Sequence, residues 1–192
     1  MNDLTGTATE LHPPDDAVFV QLYRRYYRPV RDFCRRRVAG DLVDDAVAET
    51  FFTAWRRLAD IPAGAEALVW LYAVAYRVIG HQRRSVARRR RLEGRVRSML
   101  RPPVAADEPV IDGHEVRVVL AAAARLGDTD AEVLRLVAWE QLSVAQAAAV
   151  LGIEPNAVRQ RLHRARRNLG REYRRLQSRP LSTPVAAKGG AR

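Results

Sequence analysis

The sequence has 192 residues, and 47% of them are hydrophobic, which is enough to bury a core and excludes a wholly disordered chain. Lysine and arginine number 33 against 22 acidic residues, and the net charge of +11 favours a polyanionic partner such as nucleic acid. Cys34 is the one cysteine, so an internal disulfide is excluded, and no cysteines and histidines have the spacing of a zinc site.

No segment of the sequence directs the chain to a membrane. The first fourteen residues lack the apolar core of a signal peptide, and the longest apolar run, residues 68–76, is too short to cross a bilayer. We therefore expect a cytoplasmic protein with no membrane partner.

Three helices are predicted in the first half of the chain. Apolar residues recur every three or four positions over residues 19–37, where Pro29 is expected to interrupt the helix. A second helix is predicted over residues 41–58, with the side chain of Asp41 as its cap. The third covers residues 66–91 and changes from apolar to wholly basic along its length. No stretch alternates in steps of two, so strands are not expected.

Residues 92–113 are predicted to be a flexible linker, because they have no sustained periodicity and contain Pro102, Pro103, Pro109 and Gly113. The linker divides an all-α fold into two small helical domains, residues 16–91 and 114–177. Residues 1–15 and 178–192 are polar and aperiodic, so we expect them to be tails.

The second domain contains the most specific local pattern of the chain. It follows two predicted helices, over residues 116–123 and 131–139. Ser143 and Gln146 have the spacing of a capping box, Gly152 permits a turn, and Pro155 suits the first position of a helix. These signals together predict a helix-turn-helix motif.

The helix that begins at Pro155 has the composition of a DNA-reading helix. Nine arginines and one acid, Glu172, lie between residues 155 and 179. In the major groove, arginine reads guanine and asparagine or glutamine reads adenine, while other cations contact phosphates. Arg159 and Gln160 are therefore the first candidates for base reading. The outward faces are predicted to present Asn156, Arg159, Gln160, His163, Arg164, Arg166 and Arg167.

The first domain carries opposite charges on two consecutive predicted helices. Six arginines close the third helix, whereas the second gathers Asp41, Asp44, Asp45 and Glu49. Acids along one helix suit a positively charged protein partner, and Phe52 could anchor such a contact. For Asp44 and Asp45 alone, complementing the helix dipole is the simpler explanation. Aromatic and cationic residues mixed along the third helix can hold unstacked bases, with Tyr76 and His81 as candidates.

These residues resemble the extracytoplasmic-function (ECF) group of bacterial sigma factors, the minimal members of the sigma-70 family. The likeness covers about residues 16–176. Residues 22–28 and 41–58 (DLVDDAVAETFFTAWRRL) resemble the start of sigma region 2 and its polymerase-binding helix, and Trp70-Leu71-Tyr72 resembles the start of the helix that meets the minus-10 element. Residues 151–169 (LGIEPNAVRQRLHRARRNL) resemble the minus-35 reader of region 4.

The resemblance implies a transcription initiation factor that binds core RNA polymerase and promoter DNA and needs no catalytic residue, cofactor or metal. Docking on the clamp helices of the largest polymerase subunit would involve Asp44, Asp45, Glu49, Phe52 and Arg56. Minus-10 contacts would come from the loop over residues 60–66 and its helix, at Asp60, Tyr76, Arg77, His81 and Arg84. Minus-35 contacts would come from Asn156, Arg159, Gln160, His163, Arg164 and Arg167. Many such proteins also bind an anti-sigma factor, a further expected partner.

Two other functions fit part of the sequence. One is a stand-alone helix-turn-helix regulator that binds palindromic duplex DNA as a dimer. The other is an RNA-binding adaptor, which only the total charge favours. An enzyme is disfavoured, because the four histidines are scattered and no nucleophile has an evident base partner. The sequence also departs from the ECF pattern at residues 127–130, where Gly-Asp-Thr-Asp replaces a more usual turn containing Pro-Glu.

Overall fold

The computed structural model describes residues 13–92 and 113–178, and every regular element in these ranges is a helix. The α-helices are α1 (Pro13–Arg35), α2 (Leu42–Arg56), α3 (Glu66–Leu92), α4 (His114–Ala123), α5 (Asp128–Leu134), α6 (Val144–Leu151) and α7 (Pro155–Gln177). A 3₁₀ turn, Leu58–Asp60, follows α2, and a π-helical segment, Arg135–Trp139, follows α5. The predicted all-α fold is confirmed. The predicted tails and linker fall largely on residues 1–12, 93–112 and 179–192, outside the described residues.

The helices are grouped into two compact units. The first contains α1, α2, α3 and α6, and the second contains α4, α5 and α7. The grouping does not follow the chain, because Leu142–Pro155 belongs with the first unit. In that unit α6 packs on α3, where the side-chain amide of Gln146 donates to a carboxylate oxygen of Glu66 at 2.9 Å. The predicted boundaries at residues 16–91 and 114–177 stay predictions.

The main core of the first unit lies where α1, α2 and α3 meet. Phe33, Cys34 and Leu71 are completely buried there. The rings of Phe33 and Tyr72 stack with their centroids 4.4 Å apart. Burying a side chain such as Leu71 contributes about 1.5–3 kcal/mol, so this core holds the three helices together.

Arg37 ends the predicted apolar stripe of the first helix, and it is buried with that stripe at 1% exposure. Its guanidinium carbon lies 3.4 Å from the ring centroid of Phe33, and its Nη1 donates to the Phe33 carbonyl at 2.9 Å. The Arg37 carbonyl in turn accepts a hydrogen bond from the guanidinium of Arg83 on α3. The cation–π contact and the hydrogen bond reduce the cost of burying this charge.

Two local predictions for the first unit are wrong. Pro29 lies inside α1, which continues through it, because Val30 and Phe33 on the next turn are fully buried and compensate for one missing backbone hydrogen bond. Asp41 does not cap α2 with its side chain. Its backbone is helical (φ −58°, ψ −23°), whereas a capping residue needs an extended backbone to turn its side chain toward the free N–H groups.

The predicted signals around residues 143–155 are confirmed. The Ser143 hydroxyl accepts from the Gln146 backbone N–H at 3.2 Å, and the Gln146 side chain accepts from the Ser143 N–H at 3.0 Å. Gly152 follows α6 with a left-handed φ of 66°, and α7 begins at Pro155. The sequence of capped helix, glycine turn and proline-initiated helix is therefore present.

The second unit is held by a small core and by polar bonds from α7. Ala122, Val133, Leu136, Val158 and Leu162 are buried. Hydrogen bonds join Tyr173 to Glu115 at 2.9 Å and Arg125 to Glu172 at 3.2 Å. None of the helices in the described ranges has the length and apolar character to cross a membrane.

Candidate functional site

One face of α2 presents an acidic and aromatic row to solvent. Asp45, Glu49, Phe52 and Arg56 follow one another at steps of four, three and four residues, which places them on one side of the helix. All four are exposed, and Asp44 beside them is exposed as well. The opposite side is fixed in the core through the buried residues Val43, Ala46, Val47, Thr50, Phe51 and Ala54. The structure therefore brings four of the five residues predicted for polymerase docking onto one side of α2, whereas Asp44 is exposed on an adjacent side of the helix.

Phe52 is the aromatic centre of this row and remains 51% exposed. The guanidinium carbon of Arg56 lies 5.8 Å from its ring centroid, and the ring of Trp55 lies 6.2 Å away. A large aromatic side chain in solvent is informative, since burial in the core would otherwise be its favoured state. Its placement among acids suits a partner that offers both an apolar pocket and positive charge.

A groove of about 650 Å³ lies beside Phe52, between α2 and α3. The α2 wall carries Asp45 and Glu49, and the α3 wall carries His81. His81 belongs to the predicted minus-10 set and the two acids to the predicted docking set, so residues of both sets line one groove. Sequence reasoning missed the remaining lining residues, although they follow the same helical spacing: Ala48, Val78 and Gln82.

A basic row runs along α3. Arg77, His81, Arg84 and Arg88 follow one another at steps of four, three and four residues, and all are exposed. Arg77 Nε donates to the carbonyl of Ala73 at 3.0 Å, so its position along the helix is held. The neighbouring Tyr76 is half-buried. This row can follow a phosphate backbone while a ring at its edge contacts a base.

The loop that precedes α3 is tied to the rest of the first unit. The Tyr26 hydroxyl donates to the Gly64 carbonyl at 3.1 Å, and Arg57 lies 5.9 Å from the ring centroid of Trp70. Asp60 pairs with Arg57 at 2.8 Å, but about half of each side chain is in solvent. An exposed pair of this kind contributes little to stability, so Asp60 stays available for contacts.

The first four turns of α7 present the predicted minus-35 residues. Its buried stripe consists of Val158, Leu162 and Ala165, which leaves the remaining faces in solvent. One exposed row, at steps of four, three and four residues, contains Asn156, Gln160, His163 and Arg167. Arg159 is exposed next to it. This surface therefore combines side chains that can hydrogen-bond to base edges with cationic side chains that can contact phosphates.

Within the described residues, Arg164 differs from the other predicted minus-35 residues, because it has a carboxylate partner there. Its Nε and Nη2 donate to the two oxygens of Asp130 on α5, each at 2.8 Å. The hydrogen bond with Arg164 lowers the pKa of Asp130, with its desolvation opposing the shift. The same bond raises the pKa of Arg164. Asp130 lies 34 residues earlier in the chain, so no local signal pointed to the pair.

Two family models match the chain. The model described as Sigma-70 region 2 covers residues 22–91, and Sigma-70, region 4 covers residues 117–169. The ECF RNA polymerase sigma factor SigL of Mycobacterium tuberculosis is 32% identical over 136 residues, which are 69% of this chain and 76% of SigL. The probable RNA polymerase sigma factor RfaY of Xanthomonas campestris pv. campestris is 33% identical over 135 residues. That match covers 67% of this chain but only 33% of the length of RfaY.

A solved structure supports the fold. The sigma factor RpoE of Bartonella quintana, solved in complex with the anti-sigma factor NepR, is similar with a TM-score of 0.66 at 21% identity. The similarity covers 81% of this chain and 96% of that protein. The region 2 and region 4 matches, together with the relation to SigL, show that the chain belongs to the ECF group of the sigma-70 family of RNA polymerase sigma factors.

Proposed function

We propose that this chain is a transcription initiation factor that binds core RNA polymerase and directs it to promoters with a minus-10 and a minus-35 element. The observation that carries the proposal is the opposite charge of two exposed rows in the first unit. The α2 row (Asp45, Glu49, Phe52 and Arg56) has two acids beside the aromatic ring. The α3 row (Arg77, His81, Arg84 and Arg88) has three arginines and a histidine. A polyanion is attracted to the second row and repelled by the first, so each row suits a different partner.

The α2 row, together with the exposed Asp44, is the proposed polymerase-docking surface. It would lie against the clamp helices of the largest subunit with Asp44, Asp45, Glu49, Phe52 and Arg56. The acids steer a positively charged partner and restrict which surfaces can bind. Phe52 supplies affinity when its exposed ring is covered. The groove beside it offers room for a partner side chain next to two carboxylates.

The α3 row and the loop at Asp60 are the proposed minus-10 surface. Arg77, His81 and Arg84 hold the phosphates of the non-template strand, and Tyr76 contacts an unstacked base. Extrusion of a base costs a few kcal/mol, which contacts in a pocket can offset, so opening needs no nucleotide hydrolysis. The chain contributes binding groups and no catalytic group, and we place its action in the bacterial cytoplasm, where polymerase and promoter meet.

The exposed faces of α7 are the proposed minus-35 reader. Arg159 and Gln160 near its N-terminus read base edges, and His163 and Arg167 one and two turns later contact phosphates or neighbouring bases. Asn156 starts the same row. We also propose an anti-sigma factor as a partner, because the similar Bartonella protein is solved with one bound.

The direct test is run-off transcription with the cognate core polymerase and a promoter library, with and without this chain. Glu49→Arg should reduce association with core polymerase at least tenfold, since a like charge placed against a cationic partner costs several kcal/mol. Asp16→Arg on α1 is the matched control, because Asp16 is an exposed acid outside the α2 row. Unchanged association of Glu49→Arg in a pull-down would refute the docking surface.

A second measurement tests the upstream contact. Arg159→Ala should relax preference at one base pair of the minus-35 element by about 1–3 kcal/mol. Equal weakening on all sequences would make Arg159 a phosphate contact instead. If the chain ignores polymerase and occupies a palindrome as a dimer, the stand-alone regulator is the correct function; the region 2 match over residues 22–91 argues against that alternative.

A further inference from the structure

In the ion pair between Asp130 and Arg164, the acid is buried and the arginine is exposed. The Asp130 side chain is only 11% exposed, whereas 60% of the Arg164 side chain is in solvent. Asp130 lies in the first turn of α5, and both of its carboxylate oxygens are bound by Arg164. The buried carboxylate of Asp130 therefore anchors the guanidinium of Arg164, most of whose side chain is in solvent.

Arg164 lies on the proposed DNA-reading side of α7. It follows Gln160 by four residues and precedes Arg167 by three, so the three side chains are neighbours on the helix surface. A guanidinium has five N–H donors in a fixed plane, and the pair with Asp130 uses one on Nε and one on Nη2. Three donors are left for a ligand, on a side chain that is 60% exposed.

We propose that Asp130 is a positioning residue for DNA binding, which holds Arg164 so that its remaining N–H donors meet a phosphate of the upstream duplex. A long arginine side chain loses rotamer freedom when it binds, and holding it beforehand reduces that loss. The fork also fixes the plane of the guanidinium, which a phosphate contact with two N–H donors requires. Because α7 reads duplex DNA only if the proposed function holds, this role of Asp130 rests on that function.

For the change in DNA affinity when Asp130 is neutralised, the proposal predicts the opposite sign from simple electrostatics. Removing a negative charge near a DNA-binding surface should strengthen DNA binding, because repulsion of the phosphates is reduced. If Asp130 positions Arg164, its neutralisation should weaken binding instead. Asp128 provides a matched control, because it is the same residue type on the same helix two positions earlier and is exposed.

The experiment measures promoter binding by the full chain assembled with its cognate core polymerase. The probes are duplexes that the wild-type holoenzyme selects from a library randomised upstream, and the same duplexes with the upstream segment scrambled. Asp130→Asn and Arg164→Ala should each weaken binding to the selected probe about five- to tenfold, and the double variant should be no weaker than Arg164→Ala alone. Asp130→Asn and Arg164→Ala should each lower the slope of log affinity against log salt concentration by about one. Asp128→Asn should bind at least as tightly as wild type.

Folding is monitored by thermal unfolding of each variant. Arg164→Lys is a second variant for the case in which Asp130→Asn fails to fold, since it keeps the charge and loses the planar fork. It should weaken binding by a similar factor.

If Arg159→Ala weakens binding, the minus-35 contact holds, and either of two results would then overturn the role of Asp130 only. In one, Asp130→Asn binds as tightly as wild type or more tightly. In the other, Arg164→Ala leaves the affinity and the salt slope unchanged, which would make the pair a purely structural link. If Arg159→Ala also has no effect, α7 does not read the upstream duplex, and the proposed minus-35 contact fails together with the role of Asp130.

Discussion

Truncation of Phe52 to alanine should weaken polymerase binding while leaving the fold stable. About half of this side chain is in solvent in the free protein, at 51% exposure. Complete burial of a phenylalanine is worth about 1.5–3 kcal/mol, so covering the exposed half by a partner contributes about 0.8–1.5 kcal/mol. At 25 °C this corresponds to association weakened about four- to thirteenfold.

The assay is competition for core polymerase between labelled wild-type chain and unlabelled Phe52→Ala, alongside urea unfolding of both proteins. Val18→Ala is the control, because Val18 on α1 is similarly exposed, at 56%, and lies outside the α2 row. It should bind within twofold of wild type. The reasoning is refuted if Phe52→Ala competes equally well, or if its unfolding free energy falls by the ~3–5 kcal/mol typical of truncating a buried phenylalanine.

Two further predictions concern the second half of the chain. Gly152→Ala should destabilise the protein by about 1–2 kcal/mol in urea unfolding, because alanine at φ 66° is strained although its Cβ would meet nothing within 4 Å. Gly170→Ala, inside α7, should be neutral or stabilising, so equal losses would contradict this account. The lowered pKa of Asp130 means that its pair is fully stabilising above the ordinary value of 3.8 and is lost as the pH falls through the lower folded value. The unfolding midpoints of wild type and Asp130→Asn should therefore converge in acid below about pH 4, and a constant difference there would argue against the pair.

Local patterns in the sequence predicted the second half of the chain well. The capping box at Ser143, the turn at Gly152 and the start of α7 at Pro155 each depend on backbone geometry within a few residues. Such signals are readable because the partner groups are close in sequence. The cap at Asp41 failed because the backbone conformation of that residue, and not its identity, decides where the side chain points.

Contacts between helices could not be predicted in the same way. Helical spacing separates Glu49 and Phe52 from Phe51, and the structure has the first two exposed and Phe51 buried. It could not show that His81 of α3 shares a groove with them, since that depends on how two helices pack. Nor could it show that Arg164 pairs with Asp130, because this carboxylate belongs to another helix.

The complete burial of Cys34 makes the sole thiol of the chain a built-in reporter of how often α1 comes away from its neighbours. A thiol-specific alkylating reagent can reach the sulfur only in opened molecules, so the rate of modification in native buffer measures the opening free energy. The measurement needs no engineered label and follows the first unit alone. Tight binding of polymerase should slow the modification of Cys34 in proportion to the fraction of the chain that is bound. The alkylation rate of this one thiol therefore reports complex formation.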